Sequence, residues 1–284
     1  MREAVSSAWI SMKRLMGTSK FYLILGMVLI FSYYTYTPFL QIAEYYQLSV
    51  PPWIYVFYTS FYTMMILNTG LCVLLFSDVP CMDGYSQMMI IRCGRRVYIL
   101  GQVLYILMAS LLYTFVLLIL SIIFILPVLE WNADWGVVIN TLGQSSTEIQ
   151  QQTGIKLPFI VDPDFLKALT PVKAMLAGFF SMWLTSALTG VVIGFFRLLF
   201  GPMAGVTAAG ILAAFAVFVQ FIGGEFIGGW LRYLSPLSWS RFGIMDWYGY
   251  GMLPSPRYCY SVLIISVIIL SIGIILRFCK RDLE

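Results

Sequence analysis

Six long apolar runs are the feature that most constrains this chain. By residue number they cover 21–41, 53–77, 99–128, 173–196, 203–222 and 259–276, and none carries Asp, Glu, Lys or Arg in its middle. About 20 apolar residues are enough to cross a bilayer as a helix, and backbone groups in lipid must find partners within their own segment. The sequence therefore predicts an all-α integral membrane protein with six transmembrane helices.

Composition agrees with this class. Hydrophobic residues make up 60% of the chain and charged residues only 11%, whereas a soluble domain carries about 25% charged residues. A transmembrane β-barrel would show alternating stretches of about ten residues, and no such stretches occur. The formal net charge of +4 is too small to indicate a nucleic-acid partner.

The distribution of Lys and Arg predicts the orientation, since short cytoplasmic loops are enriched in both. With the N-terminus inside, most of the 17 Lys and Arg residues fall in inside segments. These residues are Arg2, Lys13, Arg14, Lys20, Arg92, Arg95, Arg96, Arg197, Arg277, Lys280 and Arg281. Both termini are therefore predicted to be cytoplasmic.

Three segments outside the spans have structure of their own. Residues 1–20 place Val5, Trp9, Met12 and Met16 near helical spacing, which predicts an amphipathic interfacial helix; the alternative is a simple extension of the first span. Residues 129–172 are polar and predict a small helical cap with a loop. Residues 223–258 mix apolar residues with Gly and Pro, which predicts a broken, partly re-entrant region before the last helix. The whole chain, 1–284, is predicted to form one transmembrane domain.

Several kinds of chemistry are missing. The chain has no His, which excludes a Ser-His-Asp triad and His-ligated metal sites. Its five cysteines are scattered without a CxxC pair, and there is no GxxxxGK[ST] phosphate loop. We therefore expect no catalytic residue, no metal and no cofactor bound by this chain. Ion-coupled transport is disfavoured because the spans offer no ionisable residue to bind the ion.

A few residues inside the spans are candidates for lining a pathway. Asn68 and Gln220 are polar, and they either form interhelical hydrogen bonds or contact a substrate. Phe61, Tyr62 and Met65 belong to a crowded aromatic and Met-rich stretch. Such side chains suit a bulky amphiphile, although lipid contact or core packing is the alternative.

The inside loop 78–98 carries the most specific pattern. After Asp78, the segment from Gly84 brings Met88 and Met89 close to Arg92 and then to the pair Arg95 and Arg96. A two-faced helix of this kind has two uses, resting on anionic lipid headgroups or docking on a cytoplasmic partner.

This loop resembles that of the type-2 ATP-binding-cassette permease family, in which an acidic residue and a D/N-G step precede a short coupling helix. By that resemblance Asp83 and Gly84 form the step, Tyr85 to Ile91 the helix, and Gly94, Arg95 and Arg96 the exit turn. The coupling helix of the family sits in a groove of a separate ATPase subunit. Residues 79–81 depart from the glutamate-rich form that is usual before the step.

The resemblance implies the permease subunit of an ATP-driven exporter. Two permease copies would form the pathway, as a homodimer or as a heterodimer with a similar permease. Two cytoplasmic ATPase subunits would bind and hydrolyse ATP with Mg²⁺. It also implies a bacterial plasma membrane, and the uncharged interior favours an amphipathic peptide or lipid-like substrate. The alternative is a non-transporting scaffold, sensor or immunity protein. A channel lacks support because no ring of charge or filter sequence is visible.

Overall fold

The computed structural model describes residues 2–81, 84–159, 161–251 and 253–280, with all their side chains except those of Tyr85 and Glu225. It is 83% helical, and the described residues form no strand. Five helices are long and apolar enough to cross a membrane, or six if one bent pair counts as a single span. The prediction of an all-α membrane protein is confirmed at this level.

Twelve α-helices are described. They are α1 Arg2–Met16, α2 Ser19–Tyr45, α3 Tyr55–Ser60, α4 Tyr62–Phe76, α5 Gly84–Cys93, α6 Arg95–Ile125, α7 Gly136–Thr153, α8 Pro163–Ala168, α9 Pro171–Phe200, α10 Pro202–Phe218, α11 Gly224–Phe226 and α12 Pro256–Lys280. A π-helical turn, Val219–Gly223, extends α10. Short 3₁₀ turns cover Pro52–Ile54, Leu126–Val128, Gly229–Leu234, Pro236–Ser240 and Phe242–Ile244. The five long helices extend the predicted spans by a few residues at most ends.

The second span is the exception, because the prediction of one continuous helix over 53–77 is wrong. The helical stretches on either side of Phe61 meet at an angle of 85°, and Phe61 itself is extended, with φ −76° and ψ 128°. The hydroxyls of Thr59 and Ser60 both donate to the Val56 carbonyl, at 2.8 and 3.0 Å. These side chains compete with the backbone N–H groups that would continue the helix.

Helix α9 lies at the centre of the bundle. In its most apolar 18-residue stretch 78% of the residues are buried, compared with 22% in α10 and in α12. Its small residues permit close approach: a Cβ added at Gly190 would lie only 2.5 Å from Ile106 Cγ2 of α6. The helices α4, α6, α10 and α12 all pack against α9.

Helix α1 packs along the first turns of α6. Ala4, Ala8 and Met12 are buried, and a Cβ at Gly101 of α6 would lie 2.7 Å from Ser7 Oγ. Val5 and Trp9, on another face of α1, are each half-exposed. We call this the α1 end of the bundle; it also contains α5 and the C-terminal turn of α12.

The opposite end, which we call the α7 end, is covered by α7, α8 and the short turns of residues 229–244. Trp135 Nε1 donates to the carbonyls of Leu166 and Leu169, at 3.1 and 3.0 Å, and so joins α7 to α8. Trp239 Nε1 donates to the Arg232 carbonyl at 2.9 Å. Indole groups therefore satisfy the backbone groups that these short turns leave unpaired.

Candidate functional site

The loop that follows α4 begins with a cluster of polar contacts at the α1 end. Lys20 Nζ lies 2.7 Å from both Ser77 Oγ and Asp78 Oδ2. Arg197, in the last turn of α9, donates from Nη1 to the Ser77 carbonyl at 2.8 Å. The ends of α4 and α9 and the beginning of α2 are thereby joined at one point, directly before the loop.

The charges of this cluster act on Asp78. Partial burial alone would raise the pKa of the Asp78 carboxyl, but the hydrogen bond and charge of Lys20, with the Arg197 charge, keep the pKa below its usual value. A carboxylate stabilised in this way is ionised at neutral pH. Asp78 therefore serves as the anionic anchor of the loop.

A polar cavity of about 260 Å³ lies beside this cluster. The side chains lining it include Arg14 of α1, Lys20 of α2, Asp78 and Arg197. Positive charges outnumber the single carboxylate in this set, so the cavity is electropositive.

Helix α5 places its residues on two distinct faces. Ser86 and Ile90 are buried against the bundle, whereas Met88 is 66% and Ile91 83% exposed. Gln87 and Arg92 are also exposed, and Met89 is half-buried between the faces. Two large apolar side chains beside a guanidinium are thus presented outwards, on a helix whose other face is held by the protein.

The turn between α5 and α6 depends on Gly94. Its φ of +81° lies in the region that only glycine adopts readily, and its N–H donates to the Ile90 carbonyl at 2.9 Å. Arg95 follows half-buried and Arg96 exposed. Residues 94–96 therefore form a sharp glycine turn with one arginine directed outwards.

Some of the residues predicted to contact an ATPase lie outside the part of the chain that the structure describes. Asp83 is not among the described residues, and of Tyr85 only the backbone is described, within α5. Gly84 is the first residue of α5 and is exposed. The observed face consequently rests on Met88, Ile91, Arg92 and Arg96.

The candidate pathway residues differ in burial. Met65 and Asn68 are buried in α4, and Tyr113 of α6 donates to Asn68 Oδ1 at 2.7 Å. That bond is the interhelical contact named as the alternative role for Asn68. Phe61, Tyr62 and Gln220 lie nearer the α7 end, where the Tyr62 and Phe221 rings meet edge to face at 5.2 Å. Phe61 and Met65 lie one helical turn apart, because the Met65 N–H donates to the Phe61 carbonyl at 3.2 Å.

Sequence reasoning missed the residues that fix the loop. Lys20 and Arg197 contribute only to the prediction of orientation, although Lys20 directly precedes an apolar run and Arg197 directly follows one. Gln102 of α6 donates to Ser11 of α1 at 3.1 Å and accepts from the Cys81 N–H at 3.4 Å. The sequence signal for this hydrogen-bonded bridge was Gln102 itself, a polar residue about one turn inside an apolar run.

No site for a metal is apparent in the described ranges, where no three His, Cys, Asp or Glu side chains form a group able to hold one. The five cysteines are free thiols.

Comparison with family models, with curated proteins and with solved structures finds no match for this chain.

Proposed function

We propose that the chain is the membrane-spanning permease subunit of an ATP-driven exporter of the ATP-binding-cassette type. The observation that carries the proposal is the outer face of α5, where Met88 and Ile91 are exposed beside Arg92. Exposed large apolar side chains next to charge are typical of a surface that a partner covers. The partner proposed is a cytoplasmic ATPase subunit.

The anchoring of α5 suits a helix that transmits force. Its inner face packs on the bundle, the Gly94 turn joins it directly to the long helix α6, and the Lys20–Asp78 pair fixes the other end of the loop. Displacement of α5 by a partner would therefore be passed to α6 and, through Ser77 and Arg197, to α9. ATP and Mg²⁺ would be bound by the partner, and this chain would carry out no hydrolysis.

The remaining parts of the proposal concern assembly and place. Two copies, as a homodimer, form the pathway in a bacterial plasma membrane, with both termini cytoplasmic and two ATPase subunits beneath. Helix α1 lies in the cytoplasmic interface, with exposed Val5 and Trp9 towards lipid and Lys13 Nζ 5.9 Å from the centre of the Trp9 ring. The segment 223–258 caps the outer leaflet, and the substrate is an amphipathic peptide or lipid-like molecule.

The test is purification from the native membrane in mild detergent, followed by mass spectrometry and an ATPase assay on the reconstituted complex. We expect a co-purifying cassette ATPase whose activity this chain stimulates. The double variant Ile91→Glu/Arg96→Glu should abolish the stimulation without changing the thermal unfolding of the chain. Val137→Glu, which changes an exposed apolar side chain of α7 at the opposite end, should leave stimulation unchanged.

The competing function is a non-transporting scaffold, sensor or immunity protein. It requires no ATPase at α5. An active preparation without a nucleotide-hydrolysing partner, or full stimulation by the double variant, would contradict the permease proposal.

A further inference from the structure

A cavity of about 320 Å³ opens at the α7 end, beside the break between α3 and α4. Its size is at the lower end of the range of about 300 to 1,000 Å³ that is usual for small-molecule sites. Aromatic side chains dominate its lining, among them Phe57, Phe61, Tyr62, Phe242, Trp247 and Tyr248. An apolar group would find flat, largely rigid walls there.

One cation, Arg241, lies in this aromatic lining. Its Nε donates to the Ser60 carbonyl at 2.8 Å, at the point where the second span breaks. Its Nη1 is buried and has no hydrogen-bond partner among the described residues. Within the same ranges no carboxylate lies close enough to form an ion pair with the guanidinium.

The carboxylate that lines the cavity, Asp162, already accepts hydrogen bonds from other groups. Asp162 Oδ2 accepts from the Tyr248 hydroxyl at 3.0 Å and Oδ1 accepts from the Asp164 N–H at 3.0 Å. The carboxylate therefore caps α8 and holds Tyr248, and leaves the Arg241 charge uncompensated.

A partly buried guanidinium without an ion pair among the described residues, and with one buried nitrogen unsatisfied, is costly to maintain. Burial, with the like charge of Arg232, lowers the pKa of Arg241 to about 10, so the group is still charged at neutral pH. An anion that reached Nη1 would satisfy an orphaned donor and a buried charge at once. Hydrogen bonds between ionised groups are about twice as strong as neutral ones.

We propose that this cavity binds an amphiphile with an anionic head, a carboxylate or a phosphate, which meets Arg241 while its apolar part contacts the aromatic walls. The Phe242 and Trp247 rings, stacked with centroids 4.4 Å apart, form part of the wall beside the guanidinium. Tyr62 is 43% exposed and lines the cavity where an apolar chain would leave it. The site requires no ATPase partner, so it does not rest on the proposed function.

The experiment titrates the purified full chain, in nanodiscs of zwitterionic lipid, with four probes of equal chain length. Dodecanoate and dodecyl phosphate carry the anionic head; dodecanol and dodecyltrimethylammonium are the neutral and cationic controls. Binding is measured by calorimetry. We expect the two anions to bind at least about tenfold more tightly than either control, as a charged hydrogen bond implies.

Two variants locate the site. Arg241→Gln should weaken dodecanoate binding about tenfold or more, and the matched change Arg232→Gln should have a much smaller effect. Gly243→Leu adds an apolar side chain to the lining of the cavity at a position where a Cβ would meet only Ser60 Oγ, at 4.0 Å, and it leaves Arg241 in place. It should weaken binding of all probes. Unchanged melting temperatures would show that the variants fold.

Equal affinity for dodecanol and dodecanoate, or dodecanoate binding that neither Arg241→Gln nor Gly243→Leu weakens, would overturn the proposal. A second arm identifies the source of the ligand by adding phosphatidylglycerol to the nanodiscs. Competition with dodecanoate would assign the site to a membrane lipid, and undiminished binding would assign it to an amphiphile that arrives from solution.

Discussion

Lys20 Nζ lies 2.7 Å from Asp78 Oδ2, so one ion pair joins two residues 58 positions apart in the chain. The Lys20 side chain is 18% exposed and that of Asp78 72%. A pair this open to water contributes less than about 1 kcal/mol to stability. Its main effect is to fix, relative to α2, the beginning of the loop that leads from α4 to α5.

The ion pair predicts a small, acid-sensitive contribution to stability. Because the folded-state pKa of Asp78 is lowered, its contribution is complete above the unfolded value of about 4 and is lost as the pH falls through the folded pKa. Asp78→Asn should therefore melt slightly below the wild type at pH 7, and the difference should be smaller at pH 3. In 1 M salt the difference should shrink. An equal difference at both pH values would contradict this assignment.

The Tyr113–Asn68 hydrogen bond should be measurable as a coupling between α4 and α6. Both residues are buried, and the oxygen–oxygen distance is 2.7 Å. Interhelical bonds of this kind contribute about 0.5 to 2 kcal/mol in membrane proteins. A double-mutant cycle with Tyr113→Phe and Asn68→Ala, followed by unfolding in mixed detergent micelles, should give a coupling energy in that range. Additive effects of the two changes would show that the bond is not formed.

Gly190 should tolerate no larger residue. A Cβ there would lie 2.5 Å from Ile106 Cγ2 and 3.1 Å from the Phe76 ring, so Gly190→Ala should cost about 1 to 3 kcal/mol by overpacking. Gly70 is the matched control, since it lies inside α4 with nothing within 4 Å of an added Cβ. Gly70→Ala should stabilise the helix by about 0.5 to 1 kcal/mol. Similar unfolding curves for the two variants would contradict the close contact.

Gly101 should control the attachment of α1. A Cβ at Gly101 would lie 2.7 Å from Ser7 Oγ and 3.1 Å from the Ala4 carbonyl, so Gly101→Val should force α1 away from α6. Trypsin would then cleave after Lys13 and Arg14 faster than in the wild type. Gly26→Val, in α2 with nothing within 4 Å of the added Cβ, should show the wild-type rate. Equal protection of both variants would show that α1 is attached elsewhere.

Hydropathy predicted most of the spans because their length is set by the bilayer and not by tertiary packing. It failed between Ser60 and Tyr62, where no Pro or Gly interrupts the apolar run. The break there depends on Ser60: its hydroxyl bonds within α3, and its carbonyl accepts from Arg241, 181 positions away in sequence. A contact of that range leaves no local signal in the sequence.

For the candidate site, too, the sequence predicts the local features and not the long-range contacts. The short helix before the arginines and the Gly94 turn follow from local pattern, since glycine is favoured where φ is positive. The roles of Lys20 and Arg197 do not, because each depends on which helix ends become neighbours in the folded bundle. The same holds for the uncompensated charge of Arg241, which becomes unusual only after folding has removed water from it.

The enclosure of most of α9 bears on how two copies would meet in the proposed homodimer. A two-fold axis presents the same surface patch on both partners. The open surface of α9 is confined to its ends, where Leu176, Phe180 and Phe200 are exposed. The long helices with open faces are α2, α6, α10 and α12, which expose Ile30, Phe115, Ile211 and Ile268, among others. In the proposed homodimer, an isologous interface would therefore be built mostly from these outer faces. A passage on the symmetry axis would be lined by side chains that now face outwards, with α9 as the rigid support behind them.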